Sequence, residues 1–314
     1  MQLRDFGRTG MQLSVLGFGC GAVGGLMVRG DASDQERTIA RAIAAGVNYF
    51  DTAVQYGDGE SETNLGRVLQ KLKPANVAVG TKVRVPPSAF GRIDEAVRTS
   101  LDGSLARLGL DRVDIFHLHN SIAEKASASA LSVHQVLGDV VPAFERLRQQ
   151  GKLRFLGITA VGDTAALHQV IDARAFDSAQ VVYNMLNPSA AGELPANYPA
   201  QDYGRLFDHT KAAGVGVVGI RVLAGGALSG SAERHPIASP APEPIGSAMS
   251  YDADVDRARL IPLVKEGSPP ANGSPTKLSR APGGREAPPG LLAFVSRSQF
   301  LRLRLKQSAR KESS

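Results

Sequence analysis

Short apolar runs alternate with segments of helical periodicity from about residue 14 to residue 220, and this alternation limits the folds open to the chain more than any other feature. The apolar runs are SVLGFG from Ser14, then Val47–Asp51, Val77–Val83, Val113–His119, Leu153–Ile158, Ala179–Tyr183 and Val215–Ile220. Between them, Ser33-x-x-Glu36 has the spacing of a capping box opening a helix that runs to Gly46, and a second helix from Glu62 to Leu72 is stopped by Pro74. Ile93, Val97, Leu101, Leu105 and Leu108 fall at helical spacing before Gly109, a C-cap residue. Further helices are predicted near Val141–Gln150, Thr164–Ala173 and Tyr203–Ala213. Strands regularly separated by helices imply a parallel α/β architecture, and the short connections favour one sheet over two domains.

Two parallel folds compete. Gly19-Cys20-Gly21-Ala22-Val23-Gly24 matches the glycine fingerprint of a doubly wound dinucleotide-binding fold, but the third glycine of that motif should open a helix. Here Gly25 and Gly30 follow, and the next predicted helix begins only near Asp34. A (β/α)8 barrel makes a sharper demand, that polar functional groups cluster just after the C-terminal ends of successive strands. Asp51 ends the second run, Lys82 stands at the end of the third, His119 ends the fourth, and Tyr56 hangs in the loop after Asp51.

Singly, each of these four has an ordinary structural reading: a capping carboxylate, a surface tyrosine, a solvated lysine, a core histidine. Gathered on one rim they make a proton-transfer site. A tyrosine is a weak acid, with a pKa near ~10. A nearby ammonium such as Lys82 favours proton loss, Asp51 can hold that lysine charged, and a neutral His119 can donate a hydrogen bond to a carbonyl oxygen. None of them can supply a hydride, so a carbonyl reduction at this rim needs a cofactor. His117-x-His119 also has a chelating spacing, but no further histidine falls where a third ligand should lie, and no metal is expected.

At these residues the chain resembles the aldo-keto reductase family. The stretches that carry the resemblance are GRTGMQLSVLGFG at Gly7–Gly19, NYFDTAVQYGDGESETNLGRVL at Asn48–Leu69, GTKV at Gly80–Val83, LDRVDIFHLHN at Leu110–Asn120, GKLRFLGIT at Gly151–Thr159, QVVYN at Gln180–Asn184 and LAGGALSG at Leu223–Gly230. The resemblance covers about residues 1–267. It implies a (β/α)8 barrel that binds NADPH or NADH, with NADP favoured over NAD, and acts on a small carbonyl or sugar substrate. In it Tyr56 is the proton donor, Asp51 and Lys82 tune it, and His119 orients the substrate. By the same resemblance Thr159 and Gln180 hold the nicotinamide carboxamide, and the backbone near Leu223 and Gly226 meets the pyrophosphate. Two departures stand out. Ala160 replaces an expected Asn after Thr159, and the ring expected to stack on the nicotinamide is replaced near Ile220 and Arg221, where the arginine is a candidate for the cofactor or a substrate anion.

The net charge of +6 does not belong to this barrel. Ser268–Ser314 holds nine Lys or Arg against two acidic residues, leaving 27 basic and 28 acidic residues before it, so nothing in the body calls for a nucleic-acid partner. The tail is rich in Pro, Gly and Ser and has no helical or strand period. Residues 1–267 are therefore expected to form the barrel, probing no further than a helix around Val255–Lys265, and 268–314 a disordered extension or the product of a shifted reading frame. A normal eighth strand and helix are expected to be lacking, with only Leu291–Val295 apolar enough for a strand. Two exposed strand edges, and with them poor solubility or weak cofactor affinity, would follow. The single Cys20, the absence of any long apolar run and a polar start at Met1–Gly10 lead to the expectation of a cytoplasmic protein without a membrane partner. The leading functional expectation is a nicotinamide-dependent oxidoreductase; the alternative is an aldo-keto fold kept for binding or regulation, or an inactive truncated chain.

Overall fold

The computed structural model describes residues 1–238 and 250–261 and the backbone of Leu292–Val295. Its first strands, β1 (Leu3–Asp5) and β2 (Gln12–Ser14), form an antiparallel hairpin. The barrel strands are β3 (Leu16–Gly19), β4 (Tyr49–Asp51), β5 (Ala78–Val83) and β6 (Val113–Leu118). After a small parallel pair, β7 (Ser121–Ala123) and β8 (Ala130–Ser132), come β9 (Leu153–Thr159), β10 (Ser178–Val182) and β11 (Gly216–Ile220). The expected alternation thus produces a curled sheet of seven parallel strands in the order β3-β4-β5-β6-β9-β10-β11, with β7 and β8 lying apart from it.

The eighth place is filled from the unusual tail. Strand β12 (Leu292–Val295) pairs parallel with β11, Val218 opposite Leu292, and with β3, Ala293 opposite Leu16, so the sheet closes. The fold is a (β/α)8 barrel whose last unit is reduced, among the described residues, to this four-residue strand. The expectation of two open edges is corrected accordingly, because β3 and β11 each have a partner in β12. The expected boundary at residue 267 is crossed by that pairing. The remainder of the expected tail, its disorder or frame shift, lies outside the described residues; the helix expected around Val255–Lys265 is instead Tyr251–Leu260, ended by an extended Ile261 before Pro262.

Local chemistry is legible at some helix ends and not at others. Gly109 does end the helix Ile93–Leu108, in the left-handed conformation that a residue without Cβ adopts at little cost. The predicted capping box at Ser33 is not formed, since the helix Ala32–Ala44 begins after Asp31 and places Ser33 inside its first turn. A capping box does occur at Ser132, whose hydroxyl accepts from the Gln135 N–H while the Gln135 side chain accepts from the Ser132 N–H.

The hairpin fixes which end of the barrel is free. Phe6, Met11 and Leu13 pack with Tyr49, Ala78, Ile115 and Val218, and Arg8 N–H donates to Gly214 O just before β11 begins. The N-terminal mouth is therefore plugged, which leaves the C-terminal rim for chemistry. Among the described residues no helix is long and apolar enough to cross a membrane.

Candidate active site

Parallel register carries Asp51 and Lys82 to one rim. Asp51, the last residue of β4, lies opposite Gly80, and Lys82, two residues on in β5, lies opposite His117 in β6. Period-two alternation points Gly80 and Lys82 to the same face, and Gly80 has no room for a side chain because a Cβ there would meet the Tyr49 hydroxyl oxygen at 2.3 Å. The loop after β4 turns back through Gly57 and Gly59, both at positive φ, and sets Tyr56 over the end of β5.

Lys82 is fully buried, and its ammonium spends its three protons on three oxygens. Nζ donates to Asp51 Oδ2 at 2.6 Å, to Thr52 O at 2.7 Å and to the Tyr56 hydroxyl oxygen at 3.1 Å. It also stands 4.7 Å from the centre of the Tyr56 ring. Burial pushes the Asp51 carboxyl above the usual carboxylate range, while donation from Lys82, Gln180 and Tyr49 draws it back. Burial alone would lower the Lys82 ammonium, but Asp51 and then Tyr56 overcome it and hold it above the ordinary lysine value. The buried pair is thus held ionised by the donors around the carboxylate.

For Tyr56 the balance differs from the sequence expectation. Lys82 does favour the phenolate, yet burial is the larger effect and raises the phenol above its ordinary value. The proton stays on oxygen at neutral pH. Because that oxygen accepts from Lys82, the O–H bond remains available to a ligand.

His119 follows β6, and its N–H donates to Val83 O at 2.7 Å, which ties the ends of β5 and β6 together. Its ring stands edge-on to Tyr56, with centroids 6.0 Å apart and planes at 89°. Burial first, then the charges of Lys82 and Arg84, lower it to about 3, so it is neutral. Its Nδ1 faces Gln55 Oε1 at 3.1 Å. His117 belongs to a separate layer: it is fully buried, 3.3 Å from the Ser178 hydroxyl, and Gly157 opposite it leaves the space its ring fills, since a Cβ there would meet Cδ2 at 2.3 Å. Among the described residues no three His, Cys, Asp or Glu side chains gather as a metal site.

Several supporting groups escaped the sequence reading. Glu62 is fully buried, accepts from the Thr81 hydroxyl and from Arg107 Nε at 2.7 Å, and so braces the residue before Lys82. The Asn120 side-chain amide closes a two-way bridge to Val85, donating to its O and accepting from its N–H, each at 2.8 Å. The acidic spacing of GESE marks Glu62 only as a helix-start residue, so burial and pairing had no sequence signal.

The residues expected to hold a nicotinamide are distributed unevenly. Thr159, at the end of β9, keeps a buried hydroxyl with no hydrogen-bond partner among the described residues, which suits a carboxamide. Gln180 is buried in β10, but its Nε2 donates to Asp51 Oδ1 at 2.6 Å. Ile220 ends β11; Arg221 follows at φ 56°, with its carbonyl accepting from Asn184 Nδ2 at 3.0 Å. The Arg221 side chain has no ion pair or hydrogen bond among the described residues, and its charge acts on Tyr56 in the direction of the phenolate. Leu223 caps the turn Ala224–Ser229, whose Gly226 N–H donates back to Leu223 O at 2.8 Å. Arg234, missed from sequence, ties this turn to the first barrel loop by donating to Gly225 O at 2.7 Å and to Val23 O at 3.2 Å.

The sequence and the fold have counterparts. Residues 15–249 match the model of the aldo/keto reductase family. L-galactose dehydrogenase of Arabidopsis thaliana is 33% identical over 248 residues, covering 76% of this chain and 71% of that protein. An NADH-specific methylglyoxal reductase of Escherichia coli is 28% identical over 211 residues, 62% of each chain. Among solved structures, an aldo-keto reductase from Bacillus halodurans in its holo form is similar in fold, with a TM-score of 0.55, 24% identity and coverage of 75% of this chain and 70% of that one. One from Klebsiella pneumoniae, in complex with NADP and acetate, has a TM-score of 0.54 at 24% identity and covers 73% of this chain and 70% of its own. With the family match running through β3–β11 and the loops that carry Tyr56 and His119, the chain belongs to the aldo/keto reductase family, whose members are generally NAD(P)H-dependent oxidoreductases.

Proposed function

We propose that this chain transfers hydride between a nicotinamide and a small carbonyl, or the corresponding alcohol or sugar, with Tyr56 as general acid in reduction and general base in oxidation. The observation that carries the reading is the single ammonium of Lys82 held between Asp51 Oδ2 and the Tyr56 oxygen. Bound nicotinamide would supply or take the hydride. Thr159, with its unpartnered hydroxyl, is the residue best suited to hold the carboxamide, with Gln180 beside it and Arg221 as the cation for a phosphate or a substrate anion.

The chain's own work is then proton management. Tyr56 keeps its proton in the resting site because burial outweighs the pull of Lys82. As negative charge develops on a ligand oxygen, the O–H that Lys82 leaves free is the donor, and the phenolate left behind faces an ammonium at once. Asp51, fixed by the three donors Lys82, Gln180 and Tyr49, keeps that ammonium charged throughout.

The test is oxidation of NADPH and NADH with a panel of aldehydes, and reduction of both oxidised forms with sugars, comparing the parent with Tyr56→Phe. Equal rates in parent and variant would favour the alternative of a binding or regulatory protein on an aldo-keto fold.

A further inference from the structure

The carboxylate of Glu62 is bonded to two elements at once. Oε1 accepts from the Thr81 hydroxyl and Oε2 accepts from Arg107 Nε at 2.7 Å, and both Glu62 and Thr81 are fully buried. The sense of these bonds is fixed, because a guanidinium only donates and a carboxylate only accepts. Thr81 immediately precedes Lys82 in β5, and Glu62 stands in the first turn of the helix Glu60–Leu72, which follows the loop of Tyr56. Arg107 comes from the end of the next helix, Ile93–Leu108, where its Nη2 also donates to Ser104 Oγ at 3.3 Å, one turn back.

The same arginine lies against the Tyr56 loop. A Cβ at Gly59 would meet Arg107 Cδ at 2.7 Å and Nε at 2.9 Å. Gly57, Asp58 and Gly59 all have positive φ, at 67°, 50° and 96°. Such a run is costly at Asp58, the one residue of the three with a Cβ, and persists only where its surroundings hold it. The loop's own backbone bonds near Tyr56 are few, Ser61 N–H donating to Tyr56 O at 3.1 Å and Glu60 N–H to Gly57 O at 2.9 Å.

We propose that Arg107 is a positioning residue for the proton-transfer pair, holding the Tyr56 loop through Gly59 and the Lys82 strand through Glu62 and Thr81, so that Lys82 Nζ and the Tyr56 oxygen stay 3.1 Å apart. Arg107 acts through these neighbours and not on the reacting atoms. Its consequence for turnover rests on the proposed reading of Tyr56 as the acid and base, whereas the brace does not. Without the guanidinium, Glu62 is a buried carboxylate that has lost its cation and turns to other donors, which frees Thr81. Gly59 loses the group packed against it at the same time. The phenolate formed on proton transfer is then no longer met by a fixed ammonium.

Carbon-13 spectra of the full chain labelled at tyrosine Cζ test the brace at neutral pH without turnover, with the Tyr56 signal identified by its loss in Tyr56→Phe. Arg107→Met is expected to move that signal, and Arg107→Lys, whose ammonium also donates to Glu62, to keep it near the parental position. Thr81→Val cuts the link at its other end and should move the signal too. Arg146→Met, which removes a guanidinium paired with Asp94 on the same helix as Arg107, should leave it in place. In the NADPH assay the kcat of Arg107→Met should fall by about 10–100-fold, the cost of misplacing a reacting group by about 1 Å, while KM and the NADPH affinity read by fluorescence change little. A Tyr56 signal that stays in place in both Arg107→Met and Thr81→Val, or that moves as far in Arg146→Met, would overturn the proposal, as would a kcat loss matched by an equal loss of NADPH affinity. Should Arg107→Met not fold, Thr81→Val decides. A parent with no turnover on any aldehyde or sugar fails the proposed function, and the Tyr56 spectra still decide the brace.

Discussion

Gln180 Nε2 donates to Asp51 Oδ1 at 2.6 Å, joining residues 129 positions apart at the centre of the rim. Asp51 is buried, so each donor to its carboxylate offsets part of the cost of taking a charge from water. Gln180→Leu is expected to lower stability by about 1–3 kcal/mol in urea unfolding, through an oxygen left short of one donor. If Gln180 acts chiefly on the cofactor, nicotinamide affinity falls instead and the urea midpoint holds.

Tyr56→Phe removes one oxygen from a half-buried loop position and leaves the Lys82 contact to Asp51 in place. The loss in kcat is expected at roughly 10²–10⁴-fold, the usual size of a general acid or base contribution. Thermal unfolding of the two proteins should differ little. A variant that retains parental turnover in the NADPH assay would remove Tyr56 from the mechanism.

Lys82 and Asp51 are 0% and 5% exposed at their side chains, so removing one partner strands the other. Lys82→Met should cost about 3–5 kcal/mol, and Asp51→Leu combined with it should recover much of that loss while leaving the protein inactive. Urea unfolding of the parent, the single variant and the double variant separates the structural from the chemical part of the pair. A double variant no more stable than Lys82→Met would show that burial of the pair is not what the fold depends on.

His117 and His119 are both held below the ordinary histidine value, chiefly by burial and then by the charge of Lys82. The unfolded chain takes up protons at these positions near pH ~6.5, which the native protein resists. Their contribution to stability is therefore complete above that pH and is lost as pH falls toward the native values, for His119 about 3. Urea midpoints should fall between about pH 7 and pH 5, and His117→Gln should flatten that slope. An equal slope in parent and variant would exclude His117 as a source.

Strand β12 is the only described partner of the β3 edge on one side and of the β11 edge on the other. Removal of residues 292–314 should free both edges, lower the thermal midpoint and promote association, read by scattering on size-exclusion chromatography. A truncated protein that elutes and melts as the parent does would show that the seven remaining strands hold themselves.

Alternating apolar runs and helix periods were enough to specify a parallel barrel, and strand-end position was enough to nominate Asp51, Lys82 and His119, because in such a barrel a residue's place along its strand sets its height. Gly109 was readable as a helix end for an equally local reason, the ease with which glycine adopts positive φ. What lay beyond the sequence was contact between distant parts. The Gln180–Asp51 bond, the Glu62–Arg107 pair and the closure of the sheet by β12 each depend on which atoms meet after the chain has closed. Burial decided the rest. Its effect on Tyr56 outweighs the neighbouring ammonium, and desolvation is a property of the surrounding volume that no spacing of residues reveals.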